Sequence, residues 1–431
     1  MAKKRELTKW YRMDSSGMIY PIIGTLSVQS NYRLSFRLDH PIDPTLLVQA
    51  LERTYRRFPY YKVTIERGFF RPYLCENVRP VRVYPDNGLV LARTDFVKNG
   101  YHPIMVTYHE CSVFITFFHG LGDGYSSCIF LRYLIHAYLA LSCPDEQIPD
   151  PDELFPPLPG EEENAYETYY SKQSFWKGLK GTAGGNAAQI KGRFFVRDGL
   201  AVMRGRVPVA EVLRAARNLD CSLTELIAAV GLLAAMRTLA VATKKKPPKV
   251  FIPVDLRKLF PSNTMFNFVG TGKCVVPLST PLEVADYVAI IKRQLREQNN
   301  REAFMPKLAF TSLMHTNPIL RFSPLFLKIG MSKLARELTK STKQTLIVSN
   351  VGRFNFAPSV SAHLLDLDLA MNVNRRTPLN IGLFSVGEEL RIFISRHIVS
   401  NAVEREFFSI LRSLGIDAIV SSNYREVDHA L

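Results

Sequence analysis

Residues Val113 to Gly124 read Val-Phe-Ile-Thr-Phe-Phe-His-Gly-Leu-Gly-Asp-Gly, and no other stretch of the chain constrains its fold as strongly. An apolar run rich in β-branched and aromatic residues predicts a buried strand. The run stops at His119, and Gly120, Gly122 and Gly124 then allow a tight turn that larger side chains would forbid. From Tyr125 to Leu141 the pattern is that of a mostly apolar helix. A histidine is thereby held at the tip of a strand, with Asp123 four residues further on. Histidine ordinarily titrates near neutrality, so this turn suits proton transfer at pH 7. Taken alone, strand-end histidines are more often structural than catalytic, so the rest of the chain has to decide.

At 431 residues the chain exceeds one simple core, and two domains are expected. A hydrophobic content of 47% with 22% charged residues excludes a disordered chain. No apolar run is long enough to cross a bilayer. The most apolar helix candidate, Leu226 to Met236, follows a Ser222–Glu225 capping box and stops at Arg237, as a buried core helix does. The N-terminal Met-Ala-Lys-Lys-Arg-Glu lacks the apolar stretch of a secretory signal. Cys75, Cys111, Cys128, Cys143, Cys221 and Cys274 are scattered with no Cys-x-x-Cys pair, as reduced thiols are. The expectation is a cytoplasmic monomer without structural zinc or another metal.

The formal charge of +16 asks for an anionic partner or a solvated basic face. Nucleic acid is the first class to test, but the chain has no recognisable nucleic-acid-binding motif and no long basic tail. The basic residues are dispersed, with concentrations at Lys244-Lys245-Lys246 and along Lys328 to Lys343. Coenzyme A, an acidic carrier protein and a membrane surface remain as partners. Within Pro324 to Leu338, Leu325, Phe326, Ile329 and Leu334 mix with Lys328, Lys333 and Arg336, a pattern that fits either peripheral membrane contact or lobe packing.

The predicted organisation is an N-terminal lobe over 1–165, a linker over 166–192 and a C-terminal lobe over 193–431. Each lobe mixes strands and helices in an α/β (α+β) manner, without strict βαβ alternation. In the first lobe the strand Tyr32 to Leu38 is followed by a helix from Pro44 to Arg57, and two strands meet at His109-Glu110. Pro144 to Asn164, acidic and proline-rich, reads as an exposed linker, and the glycine-rich stretch Gly178 to Asn186 extends that irregular zone. In the second lobe, helices at 208–219 and 223–240 precede the strand Val250 to Arg257.

His119-Gly-Leu-Gly-Asp123-Gly124 resembles the His-x-x-x-Asp-Gly signature of the chloramphenicol acetyltransferase-like superfamily, which includes peptide-synthetase condensation domains and polyketide-associated acyltransferases. Leu46 to Pro59, Phe251 to Arg257, Asn267 to Gly272 and Val348 to Arg353 look like further family segments. The residue before His119 is Phe118, where many condensation domains carry a second histidine. The Asp-Phe-Gly-Trp-Gly motif of the plant acyltransferase branch is absent. The resemblance is therefore closest to free-standing bacterial alcohol acetyltransferase-like enzymes.

The resemblance implies two similar lobes forming a V, with a channel between them that passes the histidine. It also implies an acyltransferase in which His119 is the general base. Asp123, also assigned to the catalytic turn, is paired structurally with Arg257, and Gly124 is a structural residue of the site. The donor is an acyl-CoA or an acyl-phosphopantetheine on an acidic acyl-carrier protein, used as co-substrate with no bound cofactor. The acceptor is a small-molecule or lipid alcohol or amine. Ser349, Asn350 and Asn267 are substrate-binding candidates; at Ser349 and Asn350 the simpler reading is that they satisfy backbone groups.

Two rivals remain. A nucleotide site fails on spacing, because Tyr125 occupies the place of the third glycine in Gly-x-Gly-x-x-Gly. A non-catalytic relative that binds a lipid, an acyl thioester or a carrier protein without turnover is the alternative, and the intact His119 and Asp123 argue against it. Among the other histidines, His102 and His109 read as surface or hairpin residues, His136 as a core or edge residue of a helix, and His315 as a loop residue.

Overall fold

A computed structural model describes residues 9–18, 20, 31–91, 97–172, 187–195, 200–238, 245–330 and 344–423. The glycine-rich stretch 178–186, Lys244 and residues 331–343 lie outside the described residues.

Two large sheets organise the chain. The first has five strands in the order Leu364–Ala370, Asn31–Leu38, Ser112–Phe118, Ile104–His109 and Val83–Pro85. All its pairings are antiparallel except the outermost, where Val83–Pro85 runs parallel to Ile104–His109. The turn expected at His109-Glu110 is present, with Glu110 in the left-handed region. Helices Pro44–Arg57 and Gly124–Ser142 contribute to one core with this sheet, through Leu47, Leu51, Phe130 and Leu134 from the helices and Val113, Ile115 and Phe117 from the strand. Asp43 caps the first helix by accepting from the Thr45 and Leu46 amides.

The second sheet has seven strands in the order Val269–Val275, Lys249–Asp255, Leu346–Phe354, Leu379–Val386, Glu389–Arg396, Ala201–Pro208 and Ile419–Ser422. The helix Leu223–Thr238 is buried at every position from Leu226 to Met236, as an all-apolar helix must be. Its capping box closes reciprocally: the Ser222 amide donates to Glu225 at 2.7 Å and the Glu225 amide to Ser222 Oγ at 3.3 Å. A small sheet of Trp10–Tyr11, Pro72–Glu76 and Val63–Arg67 completes the strands.

Hydrogen bonding does not follow chain order. The strand Leu364–Ala370 comes from the second half of the chain yet forms an edge of the first sheet, antiparallel to Asn31–Leu38. Its outward carboxylates face the other sheet, where Asp368 pairs with Arg204 at 2.9 Å and Asp366 with Arg206 at 2.5 Å and with Arg391. One strand thus carries backbone bonds to one sheet and ion pairs to the other.

Three sequence expectations need correction. The acidic, proline-rich stretch 144–164 is exposed over most of its length, as expected, but it is anchored to the first lobe. Glu161 is buried against Arg57 at 2.6 Å and accepts from Tyr60 at 2.8 Å, while Asp150 and Asp152 pair with Arg53. His102 is buried beside Tyr55 rather than at the surface, and that burial lowers its pKa to about 4. His315 is also buried, in the short helix Leu313–Thr316, with Nδ1 2.8 Å from Glu167. In the segment from Pro324, Leu325 and Ile329 pack on the first core, and Lys328 is buried donating to the carbonyls of Phe70 and Arg321. Lobe packing therefore accounts for Leu325, Lys328 and Ile329, while Phe326 and Leu327 between them are exposed. Among the described residues no single helix is long and apolar enough to cross a membrane.

Candidate active site

His119 follows the last residue of the strand Ser112–Phe118 and is half-buried. Its ring stacks on Tyr20 with centroids 4.8 Å apart and meets the edge of Tyr32 at 5.1 Å. Burial lowers the pKa of the imidazole from 6.5, partly opposed by the carbonyls of His119 and Gly122, the charge of Asp123 and the Asn267 side chain. The neutral ring, the form that accepts a proton, is favoured at pH 7.

Asp123 faces away from this work. It is 1% exposed, and every oxygen contact ties down the turn. One carboxylate oxygen accepts from the Ser126 amide at 3.2 Å, capping the helix Gly124–Ser142. The other accepts from Arg257 at 2.9 Å and from the Phe268 amide at 2.9 Å. Arg257 is spent in the same way, donating to Asp255 at 3.0 Å, the Thr264 carbonyl at 3.0 Å and the Phe266 carbonyl at 2.7 Å. Burial works against its charge, but Asp123 and Asp255 more than offset it and raise its pKa. This knot holds the loop from Leu256 to Phe268 against the histidine turn, helped by Tyr61, which donates to the Met265 carbonyl, and by the Met265 amide on Glu161 at 2.7 Å.

That loop delivers Asn267, whose Oδ1 lies 3.2 Å from His119 Nδ1. The orientation of Asn267 is set from elsewhere. Asp14 is buried, and its Oδ2 accepts from both the Asn267 amide and Asn267 Nδ2 at 3.2 Å. Its Oδ1 accepts from Ser16 and Gly17 amides at 2.8 and 2.6 Å. In its ionised form Asp14 only accepts, which turns Nδ2 of Asn267 towards Asp14 and Oδ1 towards the histidine. Burial raises the Asp14 pKa to about 7 despite these four donors.

None of Gly120, Gly122 and Gly124 has positive φ, so it is space and not backbone angle that decides whether glycine is needed at each. A Cβ on Gly122 would lie 2.6 Å from Ser126 Oγ and 3.3 Å from the Met265 carbonyl oxygen. Gly124 is looser: a Cβ there would meet Val351 at 3.4 Å, an ordinary contact.

The structure brings His119, Asp123, Arg257 and Asn267 together. Asn350 lies elsewhere on the strand Leu346–Phe354, donating to Thr224 at 3.0 Å and accepting from the Gly352 amide at 3.0 Å, and it is exposed. Ser349 is half-buried beside it, opposite Gly382. Neither is hydrogen-bonded to His119 among the described residues. Asp14 and Tyr20 were missed in the sequence. The only signal for Asp14 was an Asp-x-x-Gly turn pattern in a stretch with no periodicity.

No protein-family model matches this sequence, and no curated protein matches it. Solved structures do. Polyketide synthase associated protein 5 from Mycobacterium tuberculosis aligns with TM-score 0.58 and 15% identity, over 88% of this chain and 93% of that one. The first condensation domain of the calcium-dependent antibiotic synthetase aligns with TM-score 0.59 and 16% identity, over 94% of this chain and 95% of that one. A trichothecene 15-O-acetyltransferase from Fusarium sporotrichioides aligns with TM-score 0.58 and 10% identity, over 94% of each chain. The chain therefore has the fold that these condensation-domain, polyketide-associated and acetyltransferase structures share. That is the fold expected from the His-x-x-x-Asp-Gly turn.

Proposed function

We propose that this protein is an acyltransferase that moves an acyl group from a thioester to an alcohol or amine, with His119 as general base. The observation that carries this reading is the contact between His119 Nδ1 and Asn267 Oδ1, which leaves Nε2 as the nitrogen that takes the proton. The fold, shared with acetyltransferases and condensation domains, supports the same reaction class.

In the reaction, Nε2 removes the proton from the acceptor hydroxyl or amine as its oxygen or nitrogen attacks the thioester carbonyl carbon. The carbon–sulfur bond then breaks, and the imidazolium returns the proton to the departing thiolate. The products are an ester or amide and a free thiol, and no acyl-enzyme forms. General-base assistance of this kind is worth roughly 10²- to 10⁴-fold. Positioning of both substrates between the lobes supplies the rest. Asp123, Gly124 and Arg257 hold the turn rather than touch substrate. The donor is acyl-CoA or a carrier-bound acyl-phosphopantetheine, and the +16 charge of the chain favours either anionic partner. The acceptor is a small-molecule or lipid alcohol or amine.

The test is incubation with a panel of acyl-CoA thioesters and a pool of alcohols and amines, following free thiol and acylated product by mass spectrometry. Thiol release with a matching product, lost in His119→Ala, is expected. Product formation that survives His119→Ala overturns the assignment of the base. Tight thioester binding without turnover, unchanged in His119→Ala, replaces the enzyme with a binding protein.

A further inference from the structure

A second cluster of reactive side chains lies at the other end of the long helix, and it owes nothing to the proposed reaction. Three chain segments meet there. Asp39 and His40 follow the strand Asn31–Leu38, Ser142 and Cys143 end the helix Gly124–Ser142, and His363 ends the helix Pro358–His363 just before the crossing strand Leu364–Ala370. One ligand atom from each of His40, Cys143 and His363 lies within 4.8 Å of the other two, and all three residues are half-buried.

The surroundings orient these groups. Asp39 sits between the two imidazoles, 2.7 Å from His40 Nδ1 and 3.0 Å from His363 Nδ1. With Nδ1 held, His40 presents Nε2, which lies 3.2 Å from Ser142 Oγ; that oxygen is in turn 3.7 Å from Cys143 Sγ. His363 Nε2 faces Glu146 at 2.9 Å. A carboxylate on the far nitrogen of a histidine is the arrangement that fixes the ring and strengthens it as a metal ligand.

We propose that His40, Cys143 and His363 form a zinc site, with Glu146 or a water as fourth ligand and Asp39 orienting both rings. One thiolate and two imidazoles are a donor set that suits a soft-tolerant divalent ion rather than magnesium or calcium. Tetrahedral zinc places such ligand atoms about 3.3–3.8 Å apart, so closure needs side-chain shifts of about 1 Å. The ion would do structural work. The Asp39 amide already donates to the His363 carbonyl at 3.0 Å, and a metal at this corner ties the crossing strand to its neighbour and to the helix end. The ligands come from three distant segments, which is why no metal-binding spacing is visible in the sequence.

The experiment uses the full chain. Cobalt(II) added to the chelator-stripped protein should give tetrahedral visible bands and a thiolate-to-cobalt charge-transfer band, one ion per chain, both displaced by zinc. Cys143→Ser should abolish the charge-transfer band. Asp39→Asn should weaken zinc binding about 10- to 100-fold by releasing the rings. Zinc should raise the melting temperature of the wild type but not of a Cys143→Ser, His363→Ala double variant. Absence of stoichiometric binding, or binding and stabilisation that persist in the double variant, overturns the site. If either single variant fails to fold, loss of the band in Cys143→Ala alone still decides whether this thiol is a ligand.

Discussion

Asp123 and Arg257, 134 residues apart in the chain, meet at 2.9 Å with both side chains buried. The pair joins the turn after the histidine strand to the loop that carries Asn267. It therefore sets where His119 and Asn267 stand relative to each other.

Removing Arg257 leaves Asp123 a buried carboxylate without its ion-pair partner, and removing Asp123 leaves Arg257 only its pair with Asp255 at 3.0 Å. Asp123→Ala and Arg257→Ala should each destabilise the protein by about 3–5 kcal/mol. The double variant should lose clearly less than the sum, because the second removal relieves the charge left by the first. Urea melts of the four proteins measure this. An Asp123→Ala protein with wild-type stability but no activity would return Asp123 to the chemistry.

His119 should behave oppositely. His119→Ala removes a half-buried ring with one side-chain hydrogen bond, so the melting temperature should stay close to wild type while transfer falls by about 10²- to 10⁴-fold. Because burial lowers its pKa, the ring should titrate below 6.5 in an NMR titration and be neutral at pH 7. A midpoint above 6.5 would contradict the environment described for it.

Asp14 reaches the histidine through Asn267. Asp14→Ala frees the amide of Asn267 to flip and should lower kcat about 100-fold with little change in KM, the cost of a misplaced catalytic group. Nitrogen chemical shifts of His119 should move from a single tautomer, protonated at Nδ1, to a mixture. Unchanged shifts would show that Asn267 is held by something other than Asp14.

The same carboxyl has a stability signature. Its pKa rises from 3.8 to about 7 on folding, so between those values the native state holds the proton more tightly than the unfolded chain. Its contribution to stability should therefore decline as pH rises from about 4 to 7 and level off above. Asp14→Asn cannot titrate, so the difference in melting temperature between variant and wild type should change across that window and be flat beyond it.

Gly17 links the Asp14 turn to the histidine turn by contact. A Cβ there would lie 2.4 Å from the Gly120 carbonyl oxygen and 2.6 Å from Asp14 Oδ2. Gly17→Ala should cost about 1–3 kcal/mol by overpacking and reduce activity together with stability. Calorimetry and turnover on the same sample test both; a fully stable, fully active variant would mean that the two turns are free to separate.

Much of this was legible in the chain. The strand Ser112–Phe118, the helix after it and the capped core helix Leu223–Thr238 are where periodicity and capping residues placed them, because those signals are local. His119, the proposed base, stood out for the same reason, since a histidine between an apolar run and three glycines is a feature of adjacent residues. What was misread was non-local. Glu161 looked like part of a solvated acidic linker because nothing near it in sequence announces Arg57 and Tyr60 as buried partners.

The sequence by itself determined the elements, the turn and the resemblance that named the fold, all of which depend on residues within a few positions of one another. Only the tertiary structure decided that the loop after Arg257 would close over that turn, that Asp14 would orient Asn267, and that Leu364–Ala370 would cross to the first sheet. Each of those depends on charges and backbone groups that are expensive to bury alone and become stable only when a distant segment supplies the partner. Such pairings carry no period and no spacing, so they exist as information only once the chain has folded.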